Sequence, residues 1–456
     1  MGIDLGSILQ SARLSFAVLF ISLVAGLGFY PAQSDFASIA ALYLPLFILY
    51  VCIAQHTSNQ AQLIFWLGVG VLSRFILLFA FPNLSDDIYR FVWDGRLVVQ
   101  DINPFEQLPS YYLTVDPQLP GINQALYDQL NSPNYFTIYP PICQTIFAGA
   151  VSLAGENIDR SALVMKVFLL ACELGSFIVI FRILALLSLP NKNVLWYALN
   201  PLVIIEVMGN LHFEGAMVFF FLLSFYFLIR SKIGAAAFVM GLSIGSKLLP
   251  LMFLPTLLKR LGFKKTFIFS LLTGITVLVL FLPLLSETFL ANFGNSLDLY
   301  FRRFEFNASI YYLVREIWQW LEGYNPISIV GPFFPIATIS YILYETFLRK
   351  EQSIENWLTT TLLVFTCYLC FATTIHPWYL CLPIVMCLFT PYRYPILWSG
   401  LIMMTYINYN GEVYYENLWI VLLEYLAVFA YMVYEFRIYT PWKKNFTSDP
   451  VSANIG

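Results

Sequence analysis

Carboxylates, histidines, a lysine and paired arginines occur at a few places in a chain that is otherwise mostly lipid-soluble. The densest island is Asn83–Phe105, NLSDDIYRFVWDGRLVVQDINPF, with four Asp and two Arg. Its acids Asp86 and Asp87 can take a proton from a substrate or, more simply, complement a helix dipole. A second island, Gly209–Gly215, sets His212 and Glu214 two apart in a glycine-flanked turn, as proton acceptors or as partners for sugar hydroxyls. Lys247 lies in Ser246-Lys247-Leu248-Leu249-Pro250 with apolar sequence on both sides. A charge there is costly unless paired or hydrated. It suits the phosphate of a lipid-linked substrate, with snorkelling to an interface as the alternative. Arg302 and Arg303 can grip a phosphate through two parallel hydrogen bonds, or pair with Glu305. His376-Pro377-Trp378-Tyr379 offers an imidazole beside stacking rings suited to sugar, or an aromatic belt at a membrane interface. Asn307-Ala308-Ser309 matches the N-glycosylation pattern.

The elements that must position these groups follow from periodicity. Ile88, Phe91, Val92, Gly95, Val98, Val99 and Ile102 recur at helical spacing, which predicts one amphipathic helix. Asp87, Arg90 and Asp94 share its other face at i, i+3 and i+7. Ser85 is the expected N-cap, and Asn103-Pro104 the stop. An Arg90–Asp94 surface pair is the plainer reading of that face. Because the helix follows directly on an apolar run, its charged face is expected at a membrane surface. A second short helix is expected near Asn123–Leu130, and a short apolar one over Ile142–Leu153 lying half in the outer leaflet.

Of 456 residues, 59% are hydrophobic and 11% charged, too few charges to cover a soluble protein of this length. The expected fold class is therefore an all-α polytopic membrane protein, one domain over 1–456 with about 12–14 transmembrane helices, several of the apolar runs being shorter than a full crossing requires. A net charge of −3 without a basic cluster argues against nucleic acid as a partner. The seven Cys lie mostly in apolar runs without zinc spacing and read as core residues. The first ten residues, MGIDLGSILQ, contain an acid, and no small-residue cleavage site follows, so the first span is expected to be a retained anchor. Arg13, Arg182, Lys192, Arg230, Lys232, the Lys259–Lys265 run, Arg349-Lys350, Arg393 and Lys443-Lys444 fit a cytoplasmic side under the positive-inside rule. This orientation places loop 81–137, Gly209–Gly215, loop 286–326 and His376–Tyr379 together on the outer face.

Ser85-Asp86-Asp87-Ile88-Tyr89-Arg90-Phe91-Val92-Trp93-Asp94-Gly95-Arg96, followed by Asp101-Ile102-Asn103-Pro104-Phe105, resembles the first-loop signature of GT-C glycosyltransferases. The bacterial polyprenyl-phosphate-mannose-dependent mannosyltransferases are the nearest group. Tyr139-Pro140-Pro141, Asn200-Pro201, Gly209–Gly215 and Ser246–Pro250 follow in that family's order, so the resemblance spans roughly 80–260. His376–Tyr379 adds to it, whereas three spans before the first loop depart from members that have one. The resemblance implies a GT-C-like bundle in a bacterial inner membrane. It also implies a hexosyltransferase, expected to carry mannose from a polyprenyl-phosphate donor to a glycan or lipid-linked acceptor on the outer face. Its first-loop acid is the base, here Asp87 or Asp86, with the neighbouring acid holding the acceptor. A sugar hydroxyl is a poor nucleophile and needs a carboxylate within hydrogen-bond reach. The departing phosphate gathers charge that Lys247, His376, Arg90, Arg302 or Arg303 can receive. His212, Glu214, Trp378 and Tyr379 are the candidates for holding sugar or acceptor. One base without a second required carboxylate implies single displacement with inversion. Some relatives use a divalent cation, for which Asp86, Asp87 and Glu214 are generic candidates. The competing readings are a transporter or flippase of lipid-linked sugars, and a polymerase or ligase of lipid-linked glycans. A transporter is expected to hold its charges near the midplane between paired halves.

Overall fold

A computed structural model describes residues 12–349, 353–410 and 414–439. The first ten residues, Lys350 and Lys443-Lys444, used above for orientation, lie outside the described residues. Among the described residues the architecture is helical, with one isolated parallel bridge between Phe306 and Thr374. Seven helices among the described residues are long and apolar enough to cross a bilayer: Phe36–His56, Gln60–Leu77, Ile158–Leu186, Phe263–Leu284, Ile327–Leu348, Ile354–Phe371 and Leu418–Ile438. Pro201–Gly209 and Glu214–Ile229 form an eighth only as a pair bent by 115°. Four shorter apolar helices, Arg13–Phe29, Pro141–Ala154, Ile233–Ser246 and Pro377–Cys387, fall below the length of a full crossing, so the candidate spans number seven or eight among the described residues, fewer than the expected 12–14. The chain is a polytopic all-α membrane protein. All seven cysteines are free.

The first-loop helix runs Asp87–Val99. Its N-cap is Asp86, not Ser85, although Ser85 Oγ still accepts the Asp87 N–H at 3.4 Å. At the other end Asp101 takes a left-handed conformation (φ 58°), one residue beyond the cap. The Ile102 and Asp101 N–H groups then turn back to the Leu97 and Val98 carbonyls, both at 3.0 Å, a Schellman closure reached before Pro104. Gly95 lets this helix lie directly on Pro141–Ala154: a β-carbon there would sit 2.6 Å from the Phe147 carbonyl oxygen. The expected helix near Asn123–Leu130 is the single turn Gln124–Tyr127, capped by Asn123.

Charged pairs inside the bundle tie the spans together. Arg74 on Gln60–Leu77 meets Glu173 on Ile158–Leu186 at 2.9 Å, both fully buried. The Arg74 guanidinium also donates to the Gly70 and Ala198 carbonyls at 3.0 and 2.7 Å, and the Tyr197 hydroxyl donates to Glu173 at 2.6 Å. Breaking a buried pair on one side strands the other charge, at a cost of ~3–5 kcal/mol. Arg74→Met is therefore expected to lower the melting temperature in detergent sharply, and adding Glu173→Leu to recover much of the loss. A wild-type melting temperature for Arg74→Met would show that this cluster carries no stability.

Candidate active site

The bent span creates the site. Between its two arms, residues 210–213 leave the helix while remaining buried. Irregular backbone at such a depth persists only where protein covers it or a cavity hydrates it. His212 is presented from this break. Its ring lies 3.7 Å, centroid to centroid, from that of Trp378, and the two are nearly parallel. On its other face Trp378 stacks on His376 at 4.4 Å, and Phe306 covers His376 at 4.6 Å. Four rings thus form one column, with Tyr379 set edge-on to His376. The Phe306–Thr374 bridge fixes the end of the column: the Phe306 N–H bonds the Thr373 carbonyl at 3.0 Å, and the Ile375 N–H bonds the Phe306 carbonyl at 2.8 Å. A cavity lined by Gln33, Phe306, His376, Trp378, Tyr406 and Tyr409, among others, opens beside it.

Asp87 reaches the column from the first loop. Its Oδ1 accepts a hydrogen bond from Asn131 Nδ2 at 2.7 Å, and Oδ2 stands 3.9 Å from His212 Nδ1. Asp86 remains exposed; partial desolvation and the adjacent Asp87 charge raise its carboxyl above the ordinary range. Of the acids proposed for base catalysis, Asp87 is the one held by neighbours. Lys247 pairs with the buried Glu214 at 2.9 Å and lies 5.8 Å from the centroid of the Tyr139 ring. Asp87, His212 and Lys247 all act electrostatically on His376, so these groups share one region.

The expected Arg90–Asp94 pair forms, but buried and not at a surface. Arg90 is buried and bonds Asp94 at 2.8 Å and the Ser132 and Tyr135 carbonyls at 3.2 and 3.0 Å. Asp94 in turn accepts from Thr137 at 2.5 Å and Gln144 at 3.0 Å. This network folds segment 132–144 over the helix and so carries Asn131 to Asp87. The Phe289–Arg302 helix rests on the first loop, where Asn292 donates to the Phe105 and Glu106 carbonyls, both at 2.9 Å. Arg302 and Arg303 at its end are not drawn into the column. Both are exposed, and Arg302 pairs with Asp298 at 2.7 Å. Glu305 pairs with Arg315 at 2.6 Å instead. Asn307 is fully buried and donates to Glu424 at 3.1 Å, so a glycosylating enzyme cannot reach it in the folded chain. Among the described residues no group of three His, Cys, Asp or Glu is arranged to hold a metal, and Asp86, Asp87 and Glu214 form no such group.

Burial pushes the His376 imidazole down to about 3, against the opposing pull of Asp87. It therefore stays neutral at physiological pH, able to offer a hydrogen bond but no positive charge. Between the unfolded value of about 6.5 and the folded value, the unfolded chain binds the extra proton, so stability falls as pH drops through that window. His376→Gln is expected to flatten this acid-side decline in melting temperature; an unchanged slope would place the titrating group elsewhere.

Three residues around the site were absent from the sequence candidates: Glu206, Asn131 and Tyr406. Glu206 had a readable signal, an acid inside the apolar run 194–209. Asn131 and Tyr406 had none, since only the fold brings them in.

A family profile described as alpha-(1->6)-mannopyranosyltransferase, N-terminal domain, matches residues 37–261. That stretch holds Asp87, His212, Glu214 and Lys247 but not the His376–Trp378 half of the column. No curated protein and no solved structure matches the chain.

Proposed function

We propose that this chain, whose residues 37–261 match the alpha-(1->6)-mannopyranosyltransferase profile, is a GT-C mannosyltransferase that moves mannose from a polyprenyl-phosphate donor to a glycan or lipid-linked acceptor. The reaction takes place on the outer face of a bacterial inner membrane. Asp87 removes the acceptor hydroxyl proton as that oxygen bonds to C1 of the sugar. The bond from C1 to the phosphate oxygen breaks in the same displacement, inverting C1. Lys247 receives the charge that collects on the departing phosphate. The aromatic column holds the sugar against its ring edges, and the lipid tail stays in the bilayer. Members of the matched family are named for an alpha linkage; an alpha product made by inversion requires a beta-linked donor.

The observation that carries this reading is the state of Asp87. One oxygen is fixed by Asn131 and the other faces His212 across 3.9 Å, unlike the fully engaged Asp94. A base must be oriented without being consumed. The test is turnover by the purified protein in nanodiscs. Beta-mannosyl phosphoryl polyprenol is offered beside a soluble nucleotide-mannose, with product masses and linkages determined. Transfer from the lipid-linked donor alone is expected. Turnover with the nucleotide sugar, or strict use of another hexose, would overturn the donor assignment.

A further inference from the structure

Glu206 is fully buried, in a π-helical turn over Ile204–Gly209, and the displacement as written gives it no part. Its carboxylate gathers three groups. The Tyr406 hydroxyl donates to Oε1 at 3.1 Å and Asn210 Nδ2 donates to Oε2 at 3.1 Å, while the buried His212 Nε2, which has no aligned hydrogen-bond partner, stands 3.2 Å from Oε2. The Glu206 carbonyl also accepts the His212 N–H at 3.1 Å. Between them Leu211 is held at φ 65°, a left-handed conformation that a bulky side chain adopts only when its surroundings impose it. Rare π-turns and such strained positions gather at functional sites. Here both serve one imidazole, whose face is clamped by Trp378 at 3.7 Å.

We propose that Glu206 is a positioning residue: a small rotation of the imidazole across the 3.2 Å contact lets it accept the otherwise unpartnered Nε2 proton of His212, and so leaves Nδ1 as the nitrogen turned toward Asp87. The assignment rests on the function proposed above and extends it by one step. After displacement the acceptor proton sits on the Asp87 carboxylate. It passes to the Nδ1 lone pair as the 3.9 Å gap closes. The imidazolium then lies between two carboxylates, Asp87 is again a base, and the proton leaves from the imidazolium to water. A hydrogen bond from one ring nitrogen to a carboxylate is the ordinary means of fixing which nitrogen stays open.

The chain has only three histidines, His56, His212 and His376, so the imidazole nitrogens of 15N-histidine-labelled protein can be assigned by single substitution. In the wild type at neutral pH, His212 is expected with Nε2 protonated. Finding Nε2 bare overturns the proposal without any Glu206 variant. Glu206→Gln is expected to lower kcat on the order of 10- to 100-fold, the usual loss when an orienting partner is removed. Donor KM should stay within about threefold. Glu206→Asp should recover part of kcat. Because Glu206 acts through His212, adding Glu206→Gln to His212→Gln should cost nothing more, whereas costs that multiply overturn the assignment. If the wild type does not use a polyprenyl-phosphate donor, the proposed function fails, and the nitrogen spectrum still decides the Glu206–His212 contact.

Discussion

Asp87→Asn is expected to fold and insert normally yet lose about 10³-fold in kcat, within the usual range for a general base. The substitution is nearly isosteric, and an amide oxygen can still accept the Asn131 hydrogen bond at Oδ1. What disappears is the proton acceptor facing His212. Since the base acts only in the transition state, kcat and kcat/KM should fall together. Asp86→Asn is the internal control. Asp86 is exposed and caps the helix without a side-chain hydrogen bond, so its loss should cost far less. A reversed order would move the base by one residue, and full turnover by Asp87→Asn would falsify carboxylate catalysis from this helix.

Periodicity placed the first-loop helix well because its apolar residues had to face a core. It identified which residues share a face but not what covers that face. Asp87, Arg90 and Asp94 were correctly grouped, yet segment 132–144 folds over the far end, so Arg90 and Asp94 are buried while Asp87 stays at the mouth. The helix is covered on both sides, which a period of 3.6 cannot express. The expected crossings show the same limit: Pro377 and Pro395 open the later apolar helices, which are too short to span alone but add to the packed bundle. Contacts such as Arg74–Glu173, 99 residues apart, are set by packing: each charge stands out inside its apolar run, but nothing in either local sequence pairs the two. The same holds for the column: His212 and His376 each stood out as a polar residue beside aromatic ones, but their joining through Trp378 is purely tertiary.

The second large effect is expected at Lys247, and its reading depends on Glu214. Lys247→Met removes the cation proposed to meet the departing phosphate, and loss of such a preorganised charge costs about 10²–10³-fold in turnover. It also strands a carboxylate that is fully buried and paired only 2.9 Å away, which by itself weakens the fold. The single variant therefore mixes two losses. Lys247→Met combined with Glu214→Gln removes the stranded charge, so its melting temperature should rise above that of Lys247→Met. Its kcat/KM for the lipid-linked donor should stay low. Lys247→Arg keeps the charge and should retain more turnover than either, though its planar fork fits the Glu214 pocket differently. If the double variant used donor as well as the wild type, Lys247 would be only a partner for Glu214. The phosphate would then have to be met by neutral donors such as His376. The two outcomes separate cleanly because one moves stability and the other moves donor use.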